Sequence, residues 1–248
     1  METATPKPDP IPPCPRCHST HVVRNGKSRS GTPNFLCQGC KRRFVASPRK
    51  GPVSEQTKQL IRRLLLERLS LRAIARATGV SRSWLQRFVN GLYREETPWE
   101  PGELKQGTGA GKLALEADEM WSFVGKRKCT WWVWVALDAE TRQVVAMMVG
   151  DRSEFTARCL WEAVPERYRV GATVYTDFWG AYQAALPGGH HVACGKDSGL
   201  TNHVERFWCT VRQRCGRFVR KSLSFSRCDS NHIGALWYFV RHYNTSLL

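Results

Sequence analysis

The feature that most restricts the fold is a pair of short cysteine repeats, Cys14-Pro-Arg-Cys17 and Cys37-Gln-Gly-Cys40, separated by nineteen residues. Two turns of this kind place four thiolates round one tetrahedral Zn2+, with strands between them. The intervening HVVRNGKSRSGTPNFLC suits a hairpin, with Val22 and Val23 leading into an Asn25-Gly26 turn and Phe35 and Leu36 returning the chain. A segment this short builds little core, so the metal supplies the folding energy. With Cys14, Cys17, Cys37 and Cys40 as ligands, the ion has no open position for catalysis and holds shape only. A redox CxxC pair is the rival reading, and a second CxxC at this spacing weighs against it.

Charge points to the partner. The 248 residues carry 38 Lys and Arg against 21 Asp and Glu, a formal charge of +17. Such a surplus fits a polyanion, since neutralising phosphates and releasing counterions gives affinity without reading sequence. Residues 1–96 hold 19 basic and 6 acidic residues, whereas residues 97–248 hold 19 and 15. The first part is therefore the expected docking surface, and the second keeps acids available for chemistry. No membrane partner is expected. The longest unbroken apolar run, Trp131 to Leu137, is far short of the ~20 residues of a membrane helix. METATPKPDPIPP lacks the apolar core of a signal peptide. The ten cysteines are thus expected in a reducing compartment, where metal binding or burial outweighs disulfide formation.

Taken in order, residues 1–13 read as a Pro-rich disordered tail and residues 14–50 as a zinc ribbon. Lys41, Arg42, Arg43, Arg49 and Lys50 beside Phe44 form either a solvated face or a grip on backbone phosphates. Residues 51–96 read as an all-α helix-turn-helix module, opening with a helix over 54–68 that Ser54 caps. Next, SLRAIARATGVSRSWLQRFVNGLYRE reads as helix, tight turn, helix. Gly79 ends one helix in a left-handed turn, Ser81 caps the next, and Ile74, Val80, Leu85 and Phe88 make the shared core. Arg82, Ser83, Gln86 and Arg87 are left facing outwards, a donor-rich set of the kind that enters a major groove. Such hairpins also occur as plain packing units; the charge and the adjacent ribbon favour DNA. Residues 97–112 are rich in Gly, Pro, Thr and Glu and read as a linker, with the domain boundary inside them.

Beyond the linker, residues 113–248 change character. LALEADEMWSFVG, CTWWVWVALDAET and RQVVAMMVGDRS are strand-like, EFTARCLWEAVPERY is helical, and Thr173-Val174-Tyr175-Thr176 is a short strand ending at Asp177. FWGAYQAAL is helical again, and His191-Val192-Ala193-Cys194 is a last strand. Most of TNHVERFWCTVRQRCGRFVRKSLSFS then reads as an amphipathic helix, with Val204, Phe207, Val211, Cys215 and Phe218 at spacings of three and four. HIGALWYFVRHYN closes the chain as a packing helix. That order is the one expected of a ribonuclease-H-like mixed α/β domain, with the first and fourth strands adjacent. The whole is an α+β multidomain chain.

Three acids stand at element edges in this reading: Asp118 on the first strand, Asp177 at the end of the fourth, and Glu205 on the helix that follows. Alternation sends Leu113, Leu115 and Ala117 to one face and Asp118 to the other. Three converging carboxylates repel unless hard cations neutralise them, and oxygen ligands suit two Mg2+ or Mn2+ ions. Such a pair activates water or a sugar hydroxyl for in-line attack on a phosphodiester. Arg212, two helical turns after Glu205, is placed for a phosphate. Singly, Asp118, Asp138 or Asp177 could each be no more than a turn cap. Glu119 points away from Asp118 and is left out of the set. His190, His191 and His203 lack the spacing of a zinc hydrolase and read as structural or substrate-adjacent.

At these residues the chain resembles a transposase of the insertion sequence 1 family made as one continuous polypeptide. CPRC…CQGC, the helix-turn-helix, ADEMWSFVGKR, VYTDFWGAY, NHVERFWCTVRQRCGRFVRKSLSFS and HIGALWYFVRHYN carry the resemblance, in the family's order. Its departures are Trp208-Cys209 in place of a polar pair and Arg227-Cys228-Asp229 interrupting a basic run. The resemblance implies a metal-dependent Asp-Asp-Glu transposase with its triad at Asp118, Asp177 and Glu205, assisted by Arg212. It implies double-stranded DNA as partner, both terminal inverted repeats and target, and the joining of two ends calls for a homodimer or larger assembly. The rival readings are a DNA-binding regulator with an inactive catalytic domain and a hydrolytic nuclease of the same fold.

Overall fold

A computed structural model describes residues 10–28, 31–46, 51–96, 104–105, 112–126, 128–219 and 224–248. The chain divides into two compact units, Met1–Ser54 and Glu55–Leu248. Most of the tail 1–13, most of the linker 97–112, and Arg49, Lys50, Arg220 and Lys221 lie outside the described residues.

The first unit is a three-stranded antiparallel sheet of β1 (Val22–Lys27), β2 (Pro33–Cys37) and β3 (Arg43–Val45), in that order. Its core is Cys14, Val22, Phe35 and Cys37, with Phe44 stacked on Phe35 at 5.7 Å between ring centroids. Asn25-Gly26 is not the hairpin turn that its composition announces. Both residues lie within β1, where the pairing slips between Arg24 and Lys27 and Gly26 takes φ 71°. The type I′ turn that Asn-Gly favours needs positive φ at both positions. Here only the glycine adopts it, which makes a bulge instead. The chain reverses further on, where the Ser28 N–H bonds Thr32 O at 2.8 Å and the Gly31 N–H bonds Ser28 O at 2.9 Å.

The second unit begins with α1 (Glu55–Leu64), α2 (Leu71–Thr78) and α3 (Arg82–Glu95). Gly79 ends α2 at φ 69°, Ser70 caps it through Ala73 N–H, and Ser81 caps α3 through Trp84 N–H. Ile74 and Leu85 are fully buried, with Val80 and Phe88 packed against them. There follow β4 (Ala114–Phe123), β5 (Thr130–Asp138), β6 (Val144–Gly150), α4 (Glu154–Ala163), α5 (Glu166–Gly171) and β7 (Thr173–Thr176). The unit is completed by α6 (Gly180–Ala185), β8 (His191–Ala193), α7 (Asn202–Arg214) and α8 (Asp229–Thr245). The sheet runs β6-β5-β4-β7-β8, antiparallel through the first three and parallel from β4 to β8. This is the ribonuclease-H-like order, with β4 and β7 as neighbours.

Alternation along β4 divides the two faces. Leu115 and Ala117 join Trp134, Leu160 and Tyr182 in a core under α4–α6, while Met120 joins Val133, Phe207 and Phe239 in a core under α7 and α8. The segment read as one helix over 154–168 is two, because Pro165 has no N–H to continue α4 and Val164 before it turns extended. The basic helix stops at Arg214, earlier than its apolar period. Val211, Cys215 and Phe218 are all buried, yet Cys215 leaves the helix at φ −114°, ψ 98° and a short 3-10 turn follows. The reason is a docking contact with the α1–α2 connection. Arg214 O accepts the Arg68 N–H at 2.7 Å, and Arg214 Nε donates to Leu66 O at 3.2 Å.

Composition draws a boundary at 97–112, but α1–α3 do not close a core of their own. Ile61, Ile74, Leu85, Val89 and Tyr93 share one cluster with α7, α8 and the sheet. Helices of 10, 8 and 14 residues owe most of their stability to the packing of their apolar faces. They lean on α8, where Tyr238 Oη donates to Arg62 O at 2.8 Å and Gly234 lies against the Tyr93 backbone.

Candidate active site

Two clusters carry chemistry, one in each unit. In the first, the ligand atoms of Cys14, Cys17, Cys37 and Cys40 all lie within 4.8 Å of one another. Cys14 Sγ is 3.5 Å from Cys40 Sγ, and Cys17 Sγ is 3.6 Å from Cys37 Sγ. The two CxxC turns repeat one local geometry. Each is followed by a residue at φ 57°, His18 or Lys41, and each directs a backbone N–H at its first sulfur, from Arg16 at 3.4 Å and from Cys40 at 3.5 Å. Burial would raise the Cys14 thiol, but the N–H groups of Cys17 and Arg16 outweigh it and hold it at about 6. Cys17 goes the other way: an N–H at Ser19 favours its thiolate, yet the neighbouring Cys40 and Cys37 push it up to about 12. Four sulfurs this close cannot all ionise without a cation. The cluster fits a structural zinc.

In the second unit, Asp118 lies on β4 and Asp177 directly follows β7. These strands pair in parallel through Ala114↔Thr173, Leu115↔Val174 and Glu116↔Tyr175. The same register carried two residues further brings Asp118 level with Asp177, at the point where β7 ends. Glu205 is in the first turn of α7. Asp118 feels the other acids. Burial first, then the charges of Glu119, Asp177 and Glu205, push its carboxyl up to about 7. Among the described residues only the four thiols gather their ligand atoms within 4.8 Å; the three carboxylates stand wider apart, as like charges do. Arg212 is on the same helix as Glu205, half-buried. Trp208, three residues after Glu205, is buried among the core residues beside Phe207.

Asp177 is held by a second group, and so are the neighbouring acids Glu119 and Glu116. The Asp177 Oδ1 accepts the Trp179 N–H at 2.9 Å, and Trp179 in turn stacks on the Arg152 guanidinium at 3.9 Å. Arg152 donates through Nε and Nη2 to Glu119 Oε1 at 2.8 and 2.6 Å, while Tyr182 Oη donates to Glu119 Oε2 at 2.9 Å. Glu119 does point away from Asp118, toward α6, and is tied to the Asp177 turn through Arg152. Burial outweighs these partners and raises its carboxyl. Glu116, on the same face of β4 as Asp118, accepts from Val204 N–H at 2.9 Å and meets His203 Nδ1 at 2.6 Å. Sequence reasoning passed over Glu116, although a carboxylate two residues before Asp118 on a strand must share its face.

The remaining residues singled out by sequence are also placed. His190 Nδ1 lies 3.0 Å from Ala172 O and His191 Nε2 2.7 Å from Thr176 Oγ1, so both histidines brace the parallel strands. Asp138 is a turn cap: its Oδ1 accepts the N–H groups of Glu140 and Thr141, and its Oδ2 the Tyr168 hydroxyl at 2.6 Å. Arg82, Ser83, Gln86 and Arg87 are exposed on α3, and Lys41, Arg42 and Arg43 are exposed on the first unit.

This geometry can be set beside known proteins. The model of the IS1 transposase family matches residues 112–244, more than half of the 248. The chain belongs to the IS1 transposase family. A second family model, the InsA N-terminal domain, is matched by the chain over residues 13–41. The chain is 34% identical over 128 residues to the insertion element iso-IS1n protein InsB of Shigella dysenteriae, covering 52% of this chain and 94% of that protein. It is 32% identical over 133 residues to the IS1 protein InsB of Shigella flexneri, covering 53% and 98%. Against the IS1 4 protein InsB of Escherichia coli K12 the identity is 30% over 134 residues, covering 53% and 77%. Membership in the IS1 family implies DNA transposition, DNA binding and a divalent metal. No helix among the described residues is long and apolar enough to cross a membrane.

Proposed function

We propose that the chain is an Asp-Asp-Glu transposase that binds the inverted-repeat ends of its insertion sequence, cuts them and joins them to target DNA. The observation that carries this reading is the register of β4 and β7, which levels Asp118 with Asp177 beside the α7 turn bearing Glu205. The donor set fits hard cations: three carboxylates, one of them raised to about 7 by burial and like charge. Asp118, Asp177 and Glu205 would hold two Mg2+ or Mn2+ ions. When bound, such ions make water or a hydroxyl a better nucleophile and stabilise the leaving oxygen of an in-line displacement.

The chain's own residues do the rest. β4 and β7 fix the two aspartates, and Arg212 pairs with a phosphate beside the scissile bond. Water attacks the phosphodiester at the element end and the P–O3′ bond breaks, freeing a 3′-OH. That hydroxyl then attacks a target phosphodiester, forming a new P–O bond and releasing the target 3′-OH. No covalent enzyme intermediate is needed. Arg82, Ser83, Gln86 and Arg87 read base edges from the major groove, and Lys41, Arg42 and Arg43 hold backbone phosphates. A homodimer or larger assembly joins two ends in concert.

Labelled inverted-repeat oligonucleotides with Mg2+ test the reading. The wild-type chain should bind, cleave and join, whereas Asp118→Asn should bind the ends and cut nothing. Cleavage without joining would mark a nuclease, and binding without cleavage a regulator.

A further inference from the structure

Glu116 is 2% exposed, and both of its oxygens are engaged by the first turn of α7. Its Oε1 meets His203 Nδ1 at 2.6 Å and its Oε2 accepts the Val204 N–H at 2.9 Å. A helix N-terminus leaves N–H groups unpaired, and the residue before the helix normally serves them. Thr201, in that position on α7, makes no side-chain cap hydrogen bond and sits at φ −122°, ψ 14°. The cap comes instead from another element, eighty-eight residues away in sequence. A buried carboxylate also favours the positive end of the helix dipole.

The donors are the two residues immediately before Glu205, and the acceptor lies two residues before Asp118 on the same face of β4. A cap drawn from Thr201 would satisfy the same N–H without linking the helix to the sheet. Drawn from Glu116, it makes the position of Glu205 depend on the strand that carries Asp118. We propose that Glu116 is a positioning residue, whose buried carboxylate, gripped by His203 and the Val204 N–H, sets Glu205 against Asp118. The claim deepens the reading that Asp118 and Glu205 share a metal site, and rests on it. His203 acts through Glu116 as the second fastening.

Removal of such an outer partner weakens metal affinity by about ten- to a hundredfold in metalloproteins generally. The test uses the full-length, zinc-loaded chain and Mn2+ titration followed by the electron-spin resonance of the free ion, with amide exchange over α7 measured in parallel. Asp118→Asn supplies the reference for a lost site. Glu116→Ala should weaken Mn2+ binding by about tenfold and speed exchange at Val204. Glu116→Gln keeps an acceptor for that N–H and should stay within about twofold of wild type. Should the alanine variant fail to fold, Glu116→Asp, shorter by one methylene, should still weaken binding by about threefold.

Wild-type Mn2+ affinity in Glu116→Ala or Glu116→Asp, even with a lower Tm, would overturn the proposal and leave Glu116 a plain helix cap. Equal weakening by alanine and glutamine would also overturn it, since the acceptor would then not be what matters. The parent reading fails separately, if Asp118→Asn binds Mn2+ as wild type does. Exchange at Val204 then still decides whether Glu116 holds the turn, and unchanged exchange in Glu116→Ala would refute the fastening itself.

Discussion

The two units gather their reactive groups by opposite means. In the first, the cysteines are the core: Cys14 and Cys37 are fully buried, and only Val22 and Phe35 among the described residues are buried with them. In the second, the carboxylates sit at the margin of cores that exist without them, built from residues such as Trp134, Phe207, Leu236 and Phe239. The difference teaches where metal enters each folding free energy. For the thiol cluster the ion is part of the fold. For the carboxylates the fold comes first and holds like charges together at a cost, visible as the raised Asp118 carboxyl.

The largest expected effect separates the units. Removing zinc with a chelator, or replacing Cys37 by Ser, should abolish amide protection across β1–β3, because structural zinc contributes on the order of 10 kcal/mol. The melting of residues 55–248 should not move. A shared loss in calorimetry would erase the distinction. Next comes the packing that the second unit owns. A Cβ built on Gly234 would lie 2.8 Å from the Tyr93 carbonyl carbon, inside contact distance of α3. Gly234→Val should therefore destabilise the second unit by about 4 kcal/mol in urea and leave the thiol cluster intact.

A third effect is pH-dependent and confined to the second unit. His232 is 1% exposed, with Nδ1 3.0 Å from Ser226 Oγ, and burial followed by Arg217 lowers it to about 4. Unfolded, it takes up a proton near its ordinary 6.5, so between these values the unfolded chain binds more protons. Its contribution is complete above about pH 6.5 and lost as pH falls towards 4, at most about 3 kcal/mol. The difference between wild type and His232→Gln should show that slope, and parallel curves would refute it. The smallest effect goes the other way. Without metal at pH 8, Asp118→Asn should stabilise the second unit by about 1 kcal/mol, since it removes a charge that burial and its neighbours disfavour. A loss of stability would mean that Asp118 helps to build the fold.

What sequence disclosed follows the same division. Local rules were sufficient where one residue decides: the CxxC turns, Gly79 in its left-handed cap, Ser81 on α3 and the alternation that separates Asp118 from Ala117 all stand in the structure. They failed where a distant element decides. Asn25-Gly26 reads as a turn locally, but pairing with β2 makes it a bulge. The apolar period through Phe218 reads as helix, but Arg68 takes the Arg214 carbonyl and ends it. The core common to α1–α3 and α8 has no local signature, because composition marks a linker and not what the helices pack on. Glu116 was legible from its strand position as a companion of Asp118, but its capping of α7 depends on contacts eighty-eight residues apart.

The central claim is that Asp118, Asp177 and Glu205 form one metal site while the four cysteines form another of a different kind. Anomalous diffraction from a crystal of the zinc-loaded chain with an inverted-repeat oligonucleotide, grown in Mn2+, addresses it directly. Two manganese peaks among those three carboxylates, and one zinc peak among Cys14, Cys17, Cys37 and Cys40, are the expected result. A zinc peak alone, with no manganese beside Asp118 at saturating concentration, would contradict it.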